Sequence, residues 1–128
     1  MRIEHVALWT HDIEQSRAFY QEFFGAVANE RYESARVRGF ASYFLAFPGG
    51  ETRLELMQLP QLSPMALPPA IGYAHLAISV GGREQVDALV ELARAAGVTV
   101  RSEGRVTGDG YYEAVLEDPD GNPVEVTA

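Results

Sequence analysis

The chain of 128 residues contains no cysteine, which excludes disulfide bridges, thiolate metal ligands and a cysteine nucleophile. No apolar run approaches the length needed to span a bilayer. The start, Met1-Arg2-Ile3-Glu4-His5, lacks the charged-then-apolar pattern of an export signal. A cytoplasmic enzyme or binding protein without a membrane partner is therefore expected. Basic residues are the scarcer charge: 10 Lys and Arg stand against 18 Asp and Glu, leaving a net charge of −8. That balance argues against a nucleic-acid partner. Like charges form no block, so the acidity reads as an ordinary soluble surface. The length predicts one domain, residues 1–128, large enough to bury a core without cross-links.

What is present is a pattern that runs twice. Arg2–Trp9 alternates as a strand does, with Val6 and Leu8 on one face and Ile3, His5 and Ala7 on the other. Asp12 with Gln15 makes a capping-box signal, Phe19, Tyr20, Phe23 and Phe24 form the buried stripe of a helix, and Gly25 ends it. Phe40–Phe47 predicts a strand closed by Pro48-Gly49-Gly50, and Arg53–Gln58 a second in which Glu55 opposes Leu54 and Leu56. Residues 60–72 hold Pro60, Pro64, Pro68 and Pro69 and read as a stiff linker between modules of about 1–59 and 73–128. The pattern then restarts. Ala74–Val80 alternates, with His75, Ala77 and Ser79 on one face. Val86, Leu89, Val90 and Ala93 are the buried stripe of a helix stopped by Gly97, and Tyr111–Glu117 is a strand. After the turn cluster Asp118-Pro119-Asp120-Gly121-Asn122-Pro123, Glu125 opposes Val124 and Val126.

His5 and His75 are seventy positions apart, and so are Glu55 and Glu125. At that offset Ala7 falls on Ala77 and Glu14-Gln15 on Glu84-Gln85, an internal-repeat signal. The expected architecture is α+β: two βαβββ modules whose curved mixed sheets surround a metal-containing cleft. All four polar residues share the face opposite the helix-packing residues, where two carboxylates gathered together require a cation. Two imidazoles and two carboxylates suit one divalent ion of the nickel, cobalt, zinc, iron and manganese group, but not Cu(I). His5, Glu55, His75 and Glu125 are thus the candidate metal ligands. His11 reads as an ordinary satisfied or solvated histidine.

The chain resembles the vicinal oxygen chelate superfamily (glyoxalase, bleomycin-resistance and dioxygenase proteins), and within it the glyoxalase I (lactoylglutathione lyase) family. The matching stretches are Ile3-Glu4-His5-Val6-Ala7-Leu8, Leu54-Glu55-Leu56, Gly72–Val80 and Glu117–Val126. In that family the four positions are the metal ligands. The resemblance implies proton transfer through a metal-stabilised ene-diolate, with Glu125 as base and Glu55 opposite. It ranks nickel with zinc as the ion and implies a homodimer acting on a small carbonyl substrate, with the glutathione–methylglyoxal hemithioacetal as one candidate.

Two positions depart from the family. The arginine that usually follows four residues after the first histidine is Trp9, and the asparagine that usually follows four after the first glutamate is Leu59. A site for a charged peptide would lose its salt bridge there, which Arg53 or Arg101 would have to replace. Trp9, Arg53, Leu59 and Arg101 are therefore the candidate substrate contacts. Two alternatives stand beside the lyase: an epimerase or isomerase on another carbonyl compound, and a non-catalytic drug-sequestering protein like the bleomycin-resistance relatives.

Overall fold

A computed structural model describes residues 1–63 and 71–128. The chain divides into two compact units, Met1–Pro64 and Met65–Ala128. The linker expected over residues 60–72 falls largely on 64–70, outside the described residues. Among the described residues no helix is long and apolar enough to cross a membrane.

Unit 1 runs β1 (His5–Trp9), α1 (Ile13–Phe24), β2 (Val27–Ala28), β3 (Tyr32–Glu33), β4 (Ala41–Ala46) and β5 (Arg53–Gln58). Its sheet has the order β1-β5-β4-β2, with β3 paired to β4 beside β2. The first and last strands are parallel, with Val6 opposite Leu54, Ala7 opposite Glu55 and Leu8 opposite Leu56. β4 and β5 are antiparallel, with Phe44 opposite Glu55. Helix α1 begins where the Asp12 side chain accepts from the Glu14 and Gln15 N–H groups, and ends at Gly25 in the left-handed region at φ 62°. Ile13, Phe19, Tyr20, Phe23 and Phe24 bury the inner face of α1 against Tyr43, Leu45, Leu54 and Leu56. The Gln58 side chain accepts from the Ile13 N–H at 3.0 Å, tying the helix start to β5.

Unit 2 repeats the plan with β6 (Leu76–Ser79), α2 (Arg83–Ala95), β7 (Val100–Val106), β8 (Tyr112–Glu117) and β9 (Pro123–Thr127), in the sheet order β6-β9-β8-β7. The first and last strands are again parallel, and the register is the same seventy residues on: Leu76 opposite Val124, Ala77 opposite Glu125, Ile78 opposite Val126. Val86, Leu89, Val90 and Ala93 of α2 bury against Ala114, Leu116, Val124 and Val126. The expected α+β class, with mixed sheets, is what both units hold.

Several boundaries differ from the sequence expectation. The Phe40–Phe47 strand is one residue shorter at each end, and the Ala74–Val80 strand starts at Leu76, so His75 sits just before it. β7 had no sequence signature. It pairs on one side only, with β8, and half-exposed edge strands need no apolar face, so Arg101, Glu103 and Arg105 are tolerated there. β2 and β3, at two residues each, are too short for any periodicity to register.

The turn into β9 is organised by Asp118, a buried residue. Its Oδ1 accepts from the Asp120 and Asn122 N–H groups at 3.0 and 2.8 Å, and its Oδ2 from the Asn122 side-chain amide at 2.8 Å. Burial pushes its carboxyl up from the usual aspartate value, against the pull of the Asn122 bonds. A carboxyl raised in the folded state contributes stability that is fully present below its unfolded value and lost as pH rises through the folded one. Loss of the turn hydrogen bonds in Asp118→Ala should lower stability by about 2 kcal/mol at neutral pH by urea unfolding, and the loss should grow as the pH falls toward the ordinary aspartate range, where the carboxyl's own contribution is restored. Leu56 is fully buried; Leu56→Ala should cost about 2–5 kcal/mol in the same measurement.

Candidate metal centre

The matched register sets each histidine beside its own glutamate. In unit 1, β1 and β5 carry His5 and Glu55 out of the sheet on the face away from α1, and His5 Nε2 stands 3.8 Å from Glu55 Oε2. In unit 2, His75 Nε2 stands 3.5 Å from Glu125 Oε2. Each glutamate side chain is mostly buried, at 16% and 18% exposure, while each histidine is about half open, at 40% and 47%. The structure therefore brings the four candidates together as two pairs, one per unit. Among the described residues neither unit gathers three or more such groups at one point.

The pairs fit a divalent ion in chemistry and in spacing. Two donors each about 2.1 Å from one ion lie roughly 3.0–3.4 Å apart at octahedral to tetrahedral angles. The observed 3.8 and 3.5 Å are within a few tenths of an ångström of that range and longer than a good hydrogen bond. Burial pushes the Glu125 carboxyl up from the ordinary glutamate value, and nearby Glu113 and Asp109 add to the push against the opposing pull of His75. A half-buried carboxylate facing another acid is the environment in which a cation relieves the most repulsion.

The surroundings of the two pairs differ. Around His5, the Glu4 carboxylate contacts Nδ1 and also pairs with Arg53. The Phe44 ring meets the imidazole edge-on at 5.3 Å, and the Arg53 guanidinium lies over the same ring at 4.4 Å. His5 first, then Arg53, hold the Glu4 carboxyl below the usual range. Neither Glu4 nor Phe44 was singled out by the sequence. Strand alternation assigns Glu4 to the face opposite His5, but β1 begins at His5, so the alternation does not extend to Glu4. Around Glu125, the acid Glu113 pairs with Arg105 at 3.6 Å. Glu113 lies on β8, two residues from Val115, the register partner of Glu125, and only that register could have revealed it.

Of the candidate substrate contacts, Arg53 is committed to Glu4 and Phe44. Arg101 donates to Glu117 and to the Gly121 carbonyl, at the turn before β9. Leu59 follows β5 and is half-buried. Trp9 ends β1 at 46% exposure, its ring edge-on to Phe40 at 6.2 Å, and Phe40 in turn meets Tyr32 at 6.3 Å. Phe40 also lines a cleft of about 160 Å³ with Arg31, Glu33, Ser34, Gly39 and Ala41, which includes neither His5 nor Glu55.

Known proteins are similar to this chain over nearly its whole length. The chain is 30% identical over 126 residues to the lactoylglutathione lyase of Haemophilus influenzae, covering 98% of this chain and 90% of that one. The trypanothione-dependent glyoxalase I of Leishmania major superposes with a TM-score of 0.78 at 26% identity, over 99% of this chain and 86% of that chain. Glyoxalase I of Zea mays superposes with a TM-score of 0.79 at 25% identity, and there the chain, matched over 98% of its length, spans 44% of the larger protein. A family profile matches residues 2–126. With two βαβββ-like units in one register and relatives at both levels, the chain belongs to the glyoxalase/bleomycin resistance protein/dioxygenase superfamily.

Proposed function

We propose that this protein is a glyoxalase-I-like, metal-dependent lyase, a cytoplasmic homodimer in which residues 1–128 act as one domain. The observation that carries the reading is the repeated His–Glu pair, 3.8 Å in one unit and 3.5 Å in the other, on the same register of parallel first and last strands. His5, Glu55, His75 and Glu125 would hold one divalent ion, nickel or zinc before cobalt, iron or manganese, whether the pairs come from one chain or from two subunits. When bound, the ion supplies Lewis acidity to the oxygens of the substrate. Glu125 takes a proton from the substrate carbon and returns it to the neighbouring one. The likeness to lactoylglutathione lyases supports that role for Glu125. Glu55 occupies the corresponding position in the other half of the repeat.

The substrate is a small carbonyl compound, and the hemithioacetal of methylglyoxal with glutathione is the first candidate. The Leishmania major relative is trypanothione-dependent, so the thiol partner is not uniform among similar proteins. A specific observation favours a second reading, an isomerase or epimerase on a more apolar carbonyl compound. Trp9 stands where the family has a peptide-gripping arginine, and it opens an aromatic row with Phe40 and Tyr32.

The test is elemental analysis of the purified protein, then assay with methylglyoxal and glutathione in the presence of added nickel, cobalt or zinc. One ion per four-ligand site and metal-dependent turnover are expected. Glu125→Gln should lose bound metal and lower kcat by on the order of 10²- to 10⁴-fold; metal-dependent turnover that survives the substitution removes Glu125 as base. Trp9→Ala should raise KM roughly tenfold for an aromatic glyoxal while changing it little for methylglyoxal. An equal effect on both would count against the apolar-substrate reading.

A further inference from the structure

We infer that Glu4 is a positioning residue that sets the tautomer and the ring orientation of His5. A neutral imidazole carries one N–H, and the partner of one ring nitrogen decides which nitrogen keeps its lone pair. An ionised carboxylate only accepts, so the contact of Glu4 Oε2 with His5 Nδ1 puts the proton on Nδ1. The lone pair is then on Nε2, the nitrogen 3.8 Å from Glu55. Glu4 is itself held, because its other oxygen, Oε1, receives the Arg53 guanidinium. Arg53 lies 4.4 Å above Phe44, and Phe44 meets the His5 ring at 5.3 Å with the planes perpendicular. His5, Glu4, Arg53 and Phe44 thus form a closed circuit of contacts around one imidazole.

Among the described residues, the second unit has no such device at the matching positions. Seventy residues on from Glu4 is Ala74, and seventy on from Arg53 is Pro123. The strand partner of Glu125 is Val115, where Glu55 has Phe44. The donors were kept in both copies and the brace in only one, so the circuit is not a by-product of the fold. Carboxylates that orient a metal-binding histidine in this way change metal affinity or activity by about 10- to 100-fold when removed. The assignment also uses Arg53 as the anchor of Glu4 rather than as a free cation for substrate.

The inference rests on the metal reading above, and the experiment separates the two. Nickel affinity of the full chain is measured by titration calorimetry, and the His5 tautomer of the metal-free chain by long-range ¹⁵N–¹H NMR. Glu4→Ala should weaken nickel binding about 10- to 100-fold and move His5 toward the Nε2–H form. Glu4→Gln keeps an acceptor and should restore most of both. Glu51→Ala, which removes an equal charge from the exposed pair with Arg2, should change neither. Nickel binding by Glu4→Ala equal to that of the unsubstituted protein, with His5 still Nδ1–H, overturns the role of Glu4 alone. An unsubstituted protein that takes up no metal overturns the metal reading, while a His5 tautomer that moves in Glu4→Ala but not in Glu51→Ala still supports the positioning role of Glu4.

Discussion

The parallel pairing of first strand with last strand, made once in each unit, is the constraint from which the site follows. The crossover through a helix and two or more strands brings the ends of each unit together in the sheet. It sets Ala7 opposite Glu55 and Ala77 opposite Glu125. Side chains alternate along a strand, so a slip of one residue would turn Glu55 into the core and Leu54 and Leu56 out of it. Burial of those leucines against α1 holds the register, and the register aims the glutamate. The alanine opposite each glutamate leaves room on the open face, and the histidine two residues earlier reaches across the space it leaves.

The same alternation explains how the site remains polar on a thin support. One face of each sheet is consumed by the helix, with Tyr20, Leu45 and Leu56 buried in one unit and Val86, Leu116 and Val126 in the other. Among the described residues, the opposite face has no helix of its own unit to cover it. Glu55 and Glu125 lie there with their side chains mostly buried, and Glu125 has a second acid, Glu113, nearby. On the proposed reading, those buried carboxylates are kept for binding the ion rather than for stability.

Much of this was legible in the sequence because the relevant signals are periodic. Alternation alone assigns His5, Glu55, His75 and Glu125 to one kind of face, and the seventy-residue offset links them. The helices announced themselves through Asp12 and Gly25 and through the stripe at Phe19, Tyr20, Phe23 and Phe24. What could not be read was whatever depends on neighbours across the sheet. β7 is polar and irregular in register, and it exists because β8 offers it an edge. Phe44 reaches His5 from two strands away, and Glu4 escapes alternation by lying just outside β1. Trp9 was visible as a departure from the family, but the row it forms with Phe40 and Tyr32 needed the pairing of β3 with β4.

A duplicated module allows its copies to diverge wherever the register does not bind them, and here the divergence has a direction. The first copy surrounds its histidine with a carboxylate, a guanidinium and an aromatic ring, all of which restrict the imidazole. The second has Ala74, Pro123 and Val115 at the matching places, and its glutamate has an acid for a neighbour. Restriction serves a ligand whose geometry must not change during a reaction. Electrostatic crowding of a carboxylate is relieved by a cation held beside it. On the proposed reading both units hold the ion, the first through a braced imidazole and the second through a carboxylate whose acidic neighbour makes a shared cation more favourable.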